Sequence, residues 1–188
     1  MRLRRQGDEE RDDDLHPQTT AQARRAVVDR SAYRRCVRTF RYAAAVAVAA
    51  AGGGAATRRS VATWYPSLRK PSWTPPSQAF GPVWTLLYAQ MAYSATRVAR
   101  SSDPGRRRAL ALWWLQLGLN AAWSPVFFGA RRTGAGAVVI GALLPAVAAT
   151  AVSSARVDRP AGLLYAPYLA WSTYAAALNL EIWRLNRS

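Results

Sequence analysis

Residues 64–95 read WYPSLRKPSWTPPSQAFGPVWTLLYAQMAYSA, and a change of character inside this stretch decides the fold. Its first half sets Pro66, Pro71, Pro75 and Pro76 among Trp64, Tyr65 and Trp73. Each proline fixes one φ near about −65° and removes a backbone donor, which excludes a continuous helix. The result is an ordered, low-entropy loop carrying two indoles and the cations Arg69 and Lys70. The second half turns apolar at Phe80 and stays so to Ala95, with Pro82 acceptable in a first helical turn. A stiff aromatic loop thus feeds an apolar segment of membrane-crossing length. The plainer reading of the same aromatics is an interfacial belt, since Trp and Tyr favour membrane boundaries.

Working outward, apolar runs separated by arginine clusters predict helical spans at 42–57, 80–99, 109–128, 134–154 and 161–185, with a lid loop at 58–79. Lipid leaves only helices or closed barrels, so the expected fold class is all-α, a five-transmembrane-helix bundle. The first run, YAAAVAVAAAGGGAAT, is short and reaches across only with snorkelling arginines at its ends. Its small residues suit close helix packing. Pro145 is placed to kink the fourth span, and Pro167 falls near the start of the fifth.

Residues 1–20 read as a disordered, charge-segregated tail without the apolar core of a secretory signal. Residues 21–41 read as a basic amphipathic helix lying on a membrane surface, with a targeting peptide as the alternative. Five spans put the termini on opposite faces. Lysine and arginine favour the N-terminal face (seven, five and two in its three segments) over the lid face (four, two and two). The positive-inside rule by itself favours a cytoplasmic N-terminus, and the residues leave the orientation open.

The chain has 188 residues, 51% of them apolar, and a net charge of +16. Its mean hydropathy is slightly negative because a polar tail is averaged with an apolar body. The arginines punctuate helix-length runs, so anionic lipid headgroups are the expected partner for the excess charge, not nucleic acid. Cys36 and His16 both lie before the first span. That excludes an internal disulfide and a Cys/His metal cluster, and leaves Met91, tyrosine or nothing as an axial haem ligand in the membrane body.

Inside the spans, Asn120 and Asn179 are carboxamides that must find partners in hydrocarbon. Each is a binding-site candidate or an interhelical hydrogen bond, and the residues alone leave both open. Gln116 lies one turn before Asn120, and Trp123 three residues after it. In the fifth span Trp171, Ala175 and Asn179 follow at intervals of four, so the alanine makes a notch between two larger groups. Glu181 with Arg184 reads as a local ion pair, and Asp103 and Asp158 as caps of the helices that follow. There is no Ser–His–Asp set, phosphate-binding glycine loop or carboxylate pair, and no catalytic residue or required cofactor is assigned. Indoles, a notch and carboxamides suit a flat, largely apolar ligand, with Arg69 and Lys70 in the lid able to meet carboxylates at its rim.

Three stretches, WYPSLRKPSWTPP with FGPVWTLLYAQMAYSA, LQLGLNAAWSPVFFGARR, and PYLAWSTYAAALNLEIWRLN, together resemble the translocator protein (TspO, peripheral benzodiazepine receptor) family in order and spacing. The likeness runs from about Arg41 to the C-terminus, and the basic extension before it resembles the plant branch. The resemblance implies a cavity that binds haem or protoporphyrin, the protein acting as scavenger, carrier or stress-related sensor. The family's pocket positions fall on Trp73, Trp123, Trp171, Ala175 and Asn179. Light-dependent porphyrin breakdown through Trp73 and Trp171, sterol binding, and recruitment of membrane-protein partners or a second copy are the alternatives. Leu180 stands where the mammalian sterol pattern has tyrosine, and Ser72 where some bacterial members have a second loop tryptophan. The plant likeness implies the endoplasmic reticulum or Golgi, with the mitochondrial outer membrane as the other expectation.

Overall fold

The computed structural model describes residues 16–187, with side chains from residue 40 onward. Chain contacts divide it into Met1–Arg38 and Thr39–Ser188; the account below concerns the second unit. The expected disorder of residues 1–20 lies outside the described residues up to residue 15, while residues 16–20 form the start of α1, and the membrane-surface stripe at 21–41 rests on side chains outside them up to residue 39.

The helices are α1 (His16–Thr63), α2 (Phe80–Arg100), α3 (Arg106–Ser124), α4 (Thr133–Val157), a short α5 (Arg159–Leu163) and α6 (Ala166–Asn186). No strand occurs among the described residues. α2 and α4 match the expected spans to within three residues at either end. Helix α4 is the one described helix that is long and apolar enough by itself to cross a bilayer, with a mean hydropathy of 2.1. It continues through Pro145 as a single element.

Three boundaries differ from expectation, each for a local reason. The lid begins at Trp64, not at residue 58, because RRSVAT contains no helix breaker and α1 runs on until Pro66 disfavours it. Helix α3 passes into a π-helical turn, Pro125–Gly129, so the third helical stretch reaches residue 129. The fifth span is two helices. Pro167 lacks the N–H that would bond the Leu163 carbonyl and its ring clashes there, so α5 ends at Leu163 and α6 starts at Ala166.

Chain direction alternates, and side-chain contacts fix it. Ser60 at the end of α1 donates to the Phe128 carbonyl at the end of α3. Asn186 at the end of α6 holds the lid at Arg69. At the other end, Arg97 of α2 meets Asp158 between α4 and α5 with a 3.0 Å ion pair. Asp158 Oδ1 also accepts from the Ala161 N–H at 3.0 Å, capping α5 as expected. α5 lies hard against α4: a Cβ on Gly162 would stand 2.3 Å from Ala155 Cβ and 2.6 Å from its Cα and N. Only glycine permits that approach.

The main core gathers Tyr42, Leu87, Met91, Trp113, Leu117, Ile140, Val147, Tyr165 and Tyr168. Tyr42 meets Trp113 edge-on at 5.1 Å. A second cluster (Tyr65, Phe127, Phe128, Leu178 and Ile182) sits where the lid joins the bundle.

Candidate functional site

A cavity of about 440 Å³ opens between α1, α2 and α3. Its α2 wall is an aromatic stripe, Phe80, Trp84 and Tyr88, spaced by four so that all three share one face. Asn120, Trp123 and Ser124 of α3 form the facing wall, with Phe128 behind and Tyr65 of the lid beside it. On α1, Gly53 and Gly54 keep the wall low, and Thr57 and Arg58 bring polarity to its rim.

The two carboxamides are clamps. Asn120 accepts from Tyr88 Oη at 2.8 Å and donates to Tyr168 Oη at 2.9 Å, so it ties α2, α3 and α6. Asn179 accepts from Trp123 Nε1 at 2.9 Å and donates to the Thr133 carbonyl at 3.2 Å, tying α3, α4 and α6. Asn179 also packs close to Gly136, where an added Cβ would be 3.2 Å from its Oδ1 and 2.8 Å from Phe127. Trp123 therefore reaches the cavity with its indole N–H already fixed and its ring stacked on Phe127 at 5.3 Å.

Of the nine residues expected at the site, Asn120 and Trp123 line this cavity and the other seven do not. Asn179 lies one layer behind Trp123. Gln116 is fully buried and its Nε2 faces Met91 Sδ at 3.5 Å. Ala175, expected to form a notch in the wall, packs against the main core, because the cavity opens between α1, α2 and α3 and not against α6. Trp171 meets Phe80 at 5.9 Å and Tyr174 at 5.7 Å, so Phe80 stands between it and the cavity. Trp73 is 46% exposed, edge-on to Tyr174 at 5.6 Å, and its carbonyl accepts from Tyr174 Oη at 2.8 Å.

The lid cations take other roles than the one expected. Lys70 Nζ donates to the carbonyls of Tyr65 (2.8 Å), Pro66 (3.2 Å) and Leu68 (2.9 Å) and lies 4.9 Å from the Tyr65 ring centroid. The Tyr65 carbonyl also accepts from the Leu68 N–H at 3.4 Å, and the ammonium gathers all three carbonyls. Burial, with a smaller contribution from Tyr174, pushes the Tyr65 phenol above its ordinary range, so it stays neutral beneath the lysine. Arg69 is held through its backbone: its N–H donates to Asn186 Oδ1 at 3.0 Å and its carbonyl accepts from Asn186 Nδ2 at 2.8 Å. The cation at the cavity is Arg58 instead. The Phe80–Trp84–Tyr88 stripe was the missed signal, visible as aromatics at helical spacing directly after the lid.

Beyond the π-helical turn, Arg131 takes φ 57°, the one positive-φ non-glycine among the described residues. The Arg132 N–H reaches back to the Val126 carbonyl at 3.2 Å and the Ala130 N–H to Pro125 at 2.8 Å. Such closures usually put glycine at the left-handed position, and a side chain there costs about 1 kcal/mol.

Comparisons with known proteins agree with this architecture. A family model described as TspO/MBR family matches residues 42–184. The chain is 42% identical over 129 residues to protein CrtK of Rhodobacter capsulatus, covering 68% of this chain and 81% of that protein. It is 43% identical over 123 residues to a tryptophan-rich sensory protein of Cereibacter sphaeroides (65% and 77%) and 42% identical over 126 residues to the human translocator protein (65% and 75%). The family match starts at Tyr42 and lends nothing to the expected plant-type extension. An all-α bundle with a proline-rich lid, matched over most of its length, places the chain in the TspO/MBR family of membrane proteins.

Proposed function

We propose that the protein binds tetrapyrroles such as haem or protoporphyrin in the cavity between α1, α2 and α3, as a scavenger, carrier or stress-related sensor. The observation that carries this reading is the cavity wall itself. Phe80, Trp84, Tyr88 and Trp123 offer flat apolar surfaces, and Arg58 puts one guanidinium at the rim. The volume of about 440 Å³ lies within the usual range of small-molecule sites, about 300–1,000 Å³. A planar macrocycle with two carboxylates uses both features, whereas a sterol would leave the guanidinium without a partner. The relatives' names speak of translocation and sensing in those proteins. Both activities begin with binding.

The test is titration of the purified protein in detergent, read by quenching of tryptophan fluorescence. Wild type should saturate at one tetrapyrrole per chain. Trp84→Leu should weaken binding about tenfold, 1.4 kcal/mol. Arg58→Gln should weaken protoporphyrin about fivefold, near 1 kcal/mol, and leave its dimethyl ester unaffected. Wild-type affinity in Trp84→Leu would place the ligand elsewhere.

A second reading, light-driven porphyrin breakdown, has one observation in its favour. Trp73, Tyr174, Trp171 and Phe80 form a chain of rings at 5.6, 5.7 and 5.9 Å from the surface to the cavity wall. Bleaching of bound protoporphyrin under light, abolished in Trp171→Phe while binding persists, would establish it.

A further inference from the structure

On the lid side of the bundle a second hollow, about 670 Å³, lies between the end of α1 and the turn before α4. It is lined by Ala55, Ala56, Arg58, Arg59, Ser60, Gly129 and Arg131. Three arginines line one depression there. Ser60 cannot offer its proton to a ligand, since its hydroxyl donates to the Phe128 carbonyl, and that bond fixes the floor of the hollow.

Nothing within the described protein neutralises this charge. Glu181 is the one acid on that face among the described residues, and Arg184 holds it at 3.3 Å. Asp103 and Asp158 are at the opposite end, where Asp158 is paired with Arg97. Arg58, Arg59 and Arg131 are all exposed, and the hollow's remaining lining is alanine, glycine and one serine already in use. Like charges brought together without an internal counter-ion repel one another, so their grouping favours an external anion. Arg131 adds a second sign. It occupies the left-handed position that glycine would take without strain, so the backbone is held in a costly conformation that points to a ligand role.

We propose that this hollow is an anion site for a phosphate group, with Arg59 and Arg131 as its principal ligands and Arg58 shared with the neighbouring cavity. Guanidinium forks match phosphate oxygens in pairs, which ammonium groups do not. At the edge of a membrane protein, phosphate is presented by anionic lipid headgroups and by free phosphate compounds in the adjoining water. Both supply the same chemistry, and the experiment separates them.

The full chain in a neutral detergent is offered dioleoyl phosphatidic acid, and bound lipid is counted by native mass spectrometry with and without inorganic phosphate. Wild type should retain one lipid that dioleoyl phosphatidylcholine does not replace. Displacement of that lipid by millimolar inorganic phosphate supports the site with the free anion as its ligand. Retention against phosphate supports it with the lipid as ligand. Arg59→Gln should lower retention at least fivefold. Arg131→Gly is the sharper variant: it should lower retention similarly while melting at or above the wild-type temperature, because glycine relieves the φ of 57°. Arg107→Gln with Arg108→Gln removes twice the charge of either variant from the other face and should still change nothing. Wild-type retention in Arg131→Gly and Arg59→Gln, or an equal loss in the Arg107/Arg108 control, would overturn the proposal. Protoporphyrin affinity should be unaltered in both test variants, so this result and that of the cavity titration stand or fall separately.

Discussion

At one end of the bundle Arg97 meets Asp158, Asp158 caps α5, and Gly162 lets α5 touch the backbone of α4. At the other end Lys70 turns back on its own loop while Arg58, Arg59 and Arg131 face a hollow with no acid beside them. The first end has short connections and one ion pair, Arg97 with Asp158, that ties two of its helices, among further arginines (Arg106, Arg107, Arg108, Arg156 and Arg159). The second has a sixteen-residue lid (64–79), a cavity and unpaired cations. Satisfied groups and close packing hold helices together, but they leave little for a ligand to do. Uncompensated groups at the lid end are what a ligand can complete. The two ends divide stability and binding between them.

Gly162→Ala tests the packed end and should have the largest effect. A methyl 2.3 Å from Ala155 Cβ cannot be met by a rotamer change, since the backbone of Ala155 is equally near. Overpacking of this kind costs about 1–3 kcal/mol. Thermal unfolding in detergent should show a clear drop, with tetrapyrrole affinity unchanged in the folded fraction. Unchanged stability would mean that α5 can separate from α4 freely, and the contrast between the ends would fail.

Asn179→Leu comes next, at the boundary between the two regimes. It strands the Trp123 indole N–H inside the bundle and removes the extra bond to the Thr133 carbonyl, which keeps its helical partner, a loss of about 1–2 kcal/mol. Because Trp123 is a cavity wall held by that bond, binding should weaken as well. If stability falls and binding does not, Trp123 is held by its stacking on Phe127 alone.

Much of this architecture is legible from the residues. Arg131–Arg132 and Arg156 bound α4, and the proline loop and Arg97–Arg100 bound α2, so their limits could be read within three residues. Prolines mark the lid because they act through their own ring. The break at Leu164–Tyr165 is of the same kind, and follows from Pro167 once its effect four residues upstream is counted. The site was less legible. Asn120 and Asn179 could be seen to need partners, but which partners depends on the rotation of each helix against two others. Lys70 read as a free cation because its acceptors are loop carbonyls, which no side-chain pattern reports. Ala175 shows the same limit: its spacing sets the helix face, and only packing decides what that face meets.

Lys70→Met separates loop structure from ligand recognition at the lid. The variant keeps the aliphatic stem over Tyr65 and removes three donated hydrogen bonds at a partly exposed site, a loss of about 1 kcal/mol. Limited proteolysis within residues 64–76 should accelerate severalfold. Protoporphyrin and its dimethyl ester should be affected alike. A selective loss of the free acid would show that Lys70 reaches the ligand's carboxylates after all.

The smallest effect belongs to the paired end. Partial burial raises the Asp158 carboxyl's affinity for a proton, but the Arg97 hydrogen bond, the Ala161 N–H and the Arg97 charge together outweigh it and hold the group below the usual carboxylate range. A depressed folded pKa means the unfolded chain binds the proton more readily, so this contribution is full above about pH 4 and disappears as pH falls through the folded value. The pair is solvent-accessible, with 34% and 20% side-chain exposure, so screening keeps the contribution small. Asp158→Asn isolates it, because asparagine still caps α5 while losing the charge. The stability difference between wild type and Asp158→Asn should therefore be constant from pH 7 to about pH 4 and shrink below that. It should also narrow in high salt. A difference that persists to pH 2 would assign the effect to the cap rather than the charge, and the packed end would owe nothing to its ion pair.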